Sequence, residues 1–302
     1  MQQHGQPLAR AVPHSAGLLR PLRQLPADAC DSHMHVFDPR FAPSAHWPRR
    51  PPDAPVAAYR QLQERIGTQR TVLVTPSTYG TDNACMLDAL ATLGASARGV
   101  AVVNADAPVE QLKVMAAQGV CGLRVNFVTA QSWGPTTAAM LERLAGKAAL
   151  LGWHIQILAS PEQLVELNPV LKRLPTPLVI DHMARIGPDG LGSHAFATIA
   201  RLIESGNTWI KLSGAYMGSR QGGPGYADMA ALGQALVKLA PERLVWGSDW
   251  PHTTEAPGSV DDAALVDLLD TWCSGDAAVM DRILVANPER LYGFAPTPTP
   301  KT

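Results

Sequence analysis

RGVAVVN at residues 98–104, a helical pattern across 107–118 and CGLRVNF at 121–127 make one strand–helix–strand unit. The strands are largely apolar along their length rather than alternating. That is how strands buried on both faces read, and it marks a parallel sheet covered by helices. The unit recurs. Further strand candidates are 30–37, 70–76 (RTVLVTP), 153–158 (WHIQIL), 177–182 (PLVIDH), 208–213 (TWIKLS) and 243–249 (RLVWGSD). Helical patterns fill the gaps, among them 83–95, 137–151, 161–173, 194–205 and 226–239. Eight strands alternating with helices predict an α/β fold, a single-domain (β/α)8 barrel across 27–294. No GxGxxG or phosphate loop follows the first strand, which argues against a nucleotide-binding sheet. Residues 1–26 read as a flexible, Pro-containing lead-in and 295–302 (APTPTPKT) as a frayed tail.

Composition narrows the partners. The 302 residues are 46% hydrophobic, and 25 Lys and Arg against 26 Asp and Glu leave a net charge of −1. Such a balance speaks against a nucleic-acid surface or an anionic membrane as partner. No apolar run approaches the ~18 residues of a membrane span. Arg10, Arg20 and Arg23 come without an apolar stretch, so the start does not read as a secretory signal. Cys30, Cys85, Cys121 and Cys273 are widely spaced with no CxxC pair, the pattern of small hydrophobes in a reducing cytoplasm.

In a (β/α)8 barrel the reactive groups sit at the C-terminal ends of the strands. Strand 1 ends in His33 and His35, which share a face because they stand two apart. Strand 2 ends in Ser77, Thr78 and Tyr79, and strand 4 carries Arg124 and Asn126. Strand 5 carries His154 and Gln156, and strand 6 runs into Asp181, His182 and Arg185. Strand 7 gives Lys211 and Ser213, with Tyr216 and Arg220 in its loop; strand 8 ends in Ser248, Asp249 and His252. Polar groups thus gather at one end of apolar strands. The long loop over 38–56 reads as a lid, with Trp47 able to cover a flat ring. His4, His14, His46 and His194 read as solvated.

The stretches DSHMHVF (31–37), GTDNACMLDALA (80–91), GLRVNF (122–127), VIDHMARIGPDG (179–190), WGSDWPH (246–252) and NPERLYGF (287–294) resemble the amidohydrolase superfamily. The resemblance is closest to its branch of 2-pyrone-4,6-dicarboxylate hydrolases and sugar-acid lactonases. It implies a catalytic set of His33, His35, His182 and Asp249, with Ser77, Arg124, Arg185 and Arg220 contacting substrate carboxylates. Two departures matter. Strand 4 bears Arg124 where many members bridge two metals with a carboxylated Lys or a Glu, and His154 lies early in its strand. A two-metal site is therefore not expected. No cofactor is favoured. The alternative is one Zn2+ or Mn2+ on His33, His35, His182 and Asp249. A basic residue that such dicarboxylate hydrolases carry just after the strand-4 Arg is replaced here by Val128-Thr129-Ala130.

The expected activity is hydrolysis of a carboxylated lactone, a small anionic substrate. Asp249 takes a proton from water as general base, and His33, His35 and His182 donate to the oxyanion. Arg124, Arg185 and Arg220 anchor carboxylates by their planar forks. Ser77, Thr78, Tyr79, Tyr216 and His252 complete the substrate site. The alternatives are a sugar-diacid lactone isomerase, a metal-dependent decarboxylase of the same superfamily, or a barrel that binds an anionic metabolite without turnover.

Overall fold

A computed structural model describes residues 11–49 and 51–296. Eight strands form one parallel sheet in sequence order: β1 (Cys30–Met34), β2 (Arg70–Val74), β3 (Ala97–Ala101), β4 (Val120–Asn126), β5 (His154–Leu158), β6 (Leu178–Ile180), β7 (Thr208–Leu212) and β8 (Leu244–Trp246). The main helices are α1 (Val56–Ile66), α2 (Ala84–Leu93), α3 (Val109–Ala117), α4 (Ala138–Leu150), α5 (Pro161–Leu171), α6 (His194–Glu204), α7 (Ala230–Leu239) and α8 (Asp262–Trp272). Two short helices, α9 (Ala277–Asp281) and α10 (Asn287–Tyr292), end the order. This is the expected single-domain (β/α)8 barrel. Among the described residues no helix is long and apolar enough to cross a membrane.

Strand alternation sorts the apolar residues into two separate cores. One face of each strand packs outward against the helices, with Leu73, Leu123, Ile155, Ile180, Ile210 and Trp246 in one large cluster. The other face turns inward, and Cys30, Val72, Val100, Val179, Trp209 and Val245 form a second cluster with Tyr292 and Phe294. The chain end after α10 thus plugs the N-terminal end of the barrel. Arg70 and Arg98 fasten it there: they donate to the carbonyls of Ala295 and Gly293, and both guanidiniums lie over the Phe294 ring.

The sheet closes above β8, where the chain runs on as Gly247-Ser248-Asp249-Trp250. Asp249 N donates to His33 O at 2.8 Å, and His35 N donates to Trp250 O at 2.8 Å. The fully buried Asp31 latches the seam, accepting from Ser248 N and Oγ, Tyr59 Oη and His33 N. The pairing of β1 with β2 slips between Asp31 and Met34, a bulge that re-aims the histidines there.

Strands are shorter than their apolar runs suggest. β6 stops at Ile180 because His182 to Arg185 turn through four successive left-handed residues, with φ from 50 to 57°. Each such non-glycine residue costs of order 1–3 kcal/mol, so packing and hydrogen bonds must hold the turn. Ala184 N to Asp181 O and Ile186 N to Met183 O do so.

The lead-in is anchored where it is described. Val12 and Leu25 are buried, Ala16 N bonds Val260 O, and Arg65 donates to Leu19 O, Ala16 O and Ser15 Oγ. Residues 11–26, expected as a lead-in, form no helix or strand and make polar contacts to α1. Residues 1–10, His4 included, and 297–302 lie outside the described residues.

Gly247 sets how closely the seam can close. A Cβ there would sit 2.6 Å from His33 Cβ and 2.7 Å from His33 N. Overpacking of this kind costs about 1–3 kcal/mol. Gly247→Ala is expected to lower the melting temperature by roughly 3–10 °C. Gly146→Ala, in α4 with nothing within 4 Å, should leave it unchanged or raise it; thermal melts of the two variants check this.

Candidate active site

The C-terminal ends of the strands converge on a cleft whose lining includes His35, Ser77, Thr78, Arg124, Asn126, His182, Arg185 and Asp249. His33 lies beneath it, fully buried. The rings of His33 and His35 meet at right angles, Nε2 to Nε2 at 3.4 Å. Asp249 Oδ1 lies 3.5 Å from His33 Nε2 and 3.3 Å from His35 Nε2. The expected catalytic set is therefore brought together.

Hydrogen-bond accounting fixes the imidazoles. His35 Nδ1 is 2.7 Å from Val74 O, an acceptor only, so that nitrogen carries hydrogen. Below, Lys211 directs its three N–H groups at Ser32 O, Gln156 Oε1 and His33 Nδ1, at 2.8, 2.7 and 3.3 Å. His33 Nδ1 stands between that ammonium and Asp181 Oδ1, 3.3 Å from each, while its Nε2 faces His35 Nε2. His182 Nδ1 is engaged by Ser213 Oγ at 2.9 Å, which leaves Nε2 available to the cleft.

The buried charges beneath the cleft are arranged in one layer. Asp181 is 3.4 Å from Arg124 Nε, 3.3 Å from His33 Nδ1 and 3.8 Å from Lys211 Nζ, and accepts from Gln156 Nε2. Burial lowers the Lys211 ammonium to about 8, assisted by Arg124 and opposed by Asp181. Burial also lowers His33, with Lys211 adding to the effect, and lowers His182. Burial alone would raise Asp249. The surrounding imidazoles, His182 first and then His35 and His33, outweigh it and hold the carboxyl well below the usual range. At neutral pH the cleft thus holds an ionised carboxylate beside the neutral rings of His33 and His182.

His33, His182 and Asp249 each offer one donor atom, all within 4.8 Å of one another. Two imidazoles and a carboxylate are ligands that one Zn2+ or Mn2+ accepts, so the set fits a single ion. A second ion would need an anionic bridge from β4, and Arg124 stands there.

Not every expected residue faces the cleft. Arg220 is exposed and paired with Asp189; the polar loop holds it away from the mouth. Tyr79 turns toward the loop after β1, where its hydroxyl accepts from Asp38 N. Tyr216 and His252 are buried behind Asp249: Tyr216 Oη donates to Asp249 Oδ2 at 2.5 Å, and His252 is held by Asp262. They touch the Asp249 carboxylate or its partner instead of lining the cleft. His154, the first residue of β5, packs its ring against Tyr292 near the plug, far down the barrel. His46 and His14 are half-buried rather than solvated, with Ser44 and Trp250 as neighbours.

Two groups carry weight that the sequence reading did not assign. Lys211 is noted there only as a polar strand residue, yet it sits wholly buried among three acceptors. Arg49 lines the cleft from the loop after β1, its guanidinium 5.9 Å from the centre of the Trp47 ring. An arginine in a Pro-rich loop gives no periodic signal.

Comparison with known proteins agrees with this geometry. The amidohydrolase family model, Amidohydro_2, matches residues 30–294. The 4-sulfomuconolactone hydrolase of Rhizobium radiobacter is 33% identical over 292 residues, covering 95% of each chain. The 2-pyrone-4,6-dicarboxylate hydrolase of Comamonas testosteroni is 35% identical, covering 90% of this chain and 92% of that one. A solved structure from Acinetobacter baumannii, described as a probable 2-pyrone-4,6-dicarboxylic acid hydrolase with citric acid bound, is 26% identical. It superposes with a TM-score of 0.76 over 88% of this chain and 100% of that one. The chain belongs to the amidohydrolase family.

Proposed function

We propose that this protein opens a lactone bearing carboxylate or similar acidic groups, by adding water to the ring carbonyl. The observation that carries this reading is an ionised carboxylate, Asp249, on the floor of a cleft lined by three arginines. Of Arg49, Arg124 and Arg185, only Arg124 has a carboxylate within ion-pair distance among the described residues. Arg49 and Arg185, which lack such a carboxylate, call for an anionic ligand. The relatives are hydrolases of a sulfonated lactone and of a dicarboxylated pyrone, and citric acid, bound in the structural neighbour, is a tricarboxylate.

In this mechanism Asp249 Oδ1 takes a proton from water as the oxygen attacks the carbonyl carbon. The free Nε2 of His182 supports that residue as the hydrogen-bond donor to the developing oxyanion. Collapse breaks the ring C–O bond, and the proton held by Asp249 passes to the departing oxygen. A carboxylate this acidic is a weak base, so the larger share of rate enhancement falls to the oxyanion donor and to the orientation of water and substrate. Ser77, Thr78, Arg124 and Arg185, with Arg49 across the cleft, hold the acidic groups. His33, locked by Lys211, orients His35 beside Asp249. A single Zn2+ or Mn2+, when bound, is held by His33, His182 and Asp249 and supplies polarisation of water.

Assays with 2-pyrone-4,6-dicarboxylate, 4-sulfomuconolactone and the neutral δ-valerolactone test the substrate class. An acidic lactone should be opened and the neutral one left intact; preference for the neutral ring would sink the reading. Asp249→Asn should lower kcat by roughly 10²–10⁴-fold, the range for loss of a positioned base, while calorimetry finds ligand affinity little changed. Elemental analysis joined to chelation tests the direct role of the histidines. A stoichiometric metal whose removal abolishes turnover overturns it.

The pH profile gives a further check. The Lys211 ammonium is present below about 8 and is lost as pH rises through that value, taking the donor to His33 with it. Activity should therefore fall above pH 8, and Lys211→Arg, which stays charged, should move that limb upward. A limb unmoved in the variant would remove Lys211 from the mechanism.

A further inference from the structure

Behind Asp249 a chain of buried side chains leads away from the cleft. Tyr216 Oη lies 2.5 Å from Asp249 Oδ2, and His252 Nδ1 lies 3.3 Å from the same hydroxyl. His252 Nε2 is 3.1 Å from both carboxylate oxygens of Asp262, the first residue of α8. Asp249, Tyr216, His252 and Asp262 are 5, 8, 3 and 0% exposed, so bulk water does not compete for these bonds.

The direction of the chain follows from counting hydrogens. Tyr216 has one, and the short contact to a carboxylate assigns it to Asp249. His252 Nε2 donates to Asp262, an acceptor only, and Nδ1 donates to the Tyr216 oxygen in the protonated ring that the Asp262 carboxylate favours over the effect of burial. Every donor has its acceptor, and the chain ends in a carboxylate at each end. A buried carboxylate left without this partner would be costly, so Asp262 and His252 hold each other in place.

We propose that Asp262, His252 and Tyr216 form a positioning relay that fixes the orientation of the Asp249 carboxylate. The last torsion of an Asp side chain is broad and nearly two-fold, so an untethered carboxylate can exchange its oxygens. Tethering Oδ2 to Tyr216 leaves Oδ1 as the oxygen beside His33 and His35. Asp249 and His252 both adopt left-handed backbone, φ 61 and 59°, in a turn closed by His252 N to Asp249 O at 2.9 Å. The carboxylate and its support are thus carried by one strained turn, with α8 as the anchor.

The relay rests on the hydrolase reading, and its test separates the two. Steady-state kinetics with 2-pyrone-4,6-dicarboxylate compare the native protein, Tyr216→Phe, Asp262→Asn and the double variant. Tyr216→Phe should lower kcat about 10–100-fold and Asp262→Asn about 5–10-fold, each with KM within about threefold of native. Because both cut the same chain, the double variant should be no slower than Tyr216→Phe alone, within about twofold. Losses that multiply, or a KM that climbs while kcat holds, overturn the relay in favour of separate structural roles. A crystal structure of Tyr216→Phe decides independently of turnover. The Asp249 carboxylate should rotate about its Cβ–Cγ bond, and an unmoved carboxylate overturns the relay even if no acidic lactone is opened. Failure of the native protein on every acidic lactone overturns only the hydrolase reading.

Discussion

The seam between the first and last strands is the constraint on which the rest depends. Seven strand pairs are joined by parallel ladders, while the eighth junction is completed beyond β8 by Asp249 bonding to His33 and His35 bonding to Trp250. The backbone that closes the barrel therefore belongs to the residues that form the site. Asp31 draws Ser248, Tyr59 and His33 to one buried carboxylate, and the absent side chain of Gly247 lets the two segments touch. Site geometry and barrel closure cannot vary separately. This explains how a carboxylate and two imidazoles are held together by the strand ends that close the seam.

The interior is layered along the barrel axis. Aromatic and aliphatic side chains fill the end closed by Tyr292 and Phe294, and a charged layer of Lys211, Asp181 and Arg124 lies above them. Fully buried ions are tolerated only with partners. Lys211 has an acceptor for each hydrogen, and Asp181 is ringed by positive or donating groups. The layer does more than satisfy itself. It presents both an ammonium and a carboxylate to His33 Nδ1, and through that ring it shapes the surroundings of His35 and Asp249.

Much of this was legible in the sequence, for physical reasons. Strands buried on both faces leave long apolar runs, so the order and number of strands could be read from residues such as 98–104 and 121–127. Strand-end position then gathered the polar candidates, because an eight-stranded barrel sends its C-terminal ends to one mouth, and the resemblance to the amidohydrolase superfamily singled out His33, His35, His182 and Asp249 among them. Strand ends were overextended where the chain turns through left-handed residues, as at His182, since no local pattern announces four such residues in a row. Tyr216, His252 and Arg220 sit in loops after strands, where spacing does not say which way a side chain turns; two support Asp249 from behind and the third faces solvent. Lys211 was hidden by the opposite rule, that lysines are rarely interior. Arg49 reaches the mouth through a loop whose path no periodicity encodes.

The plug formed by Tyr292 and Phe294 gives the barrel a blind end. Whatever enters passes Trp47 and Arg49 and must depart by the same opening. In the proposed reaction, ring opening turns an ester into a free carboxylate, so the departing molecule would carry one more negative charge than the arriving one past the same arginines. Cations that recruit such a substrate would also hold back its product, and the two would share one door.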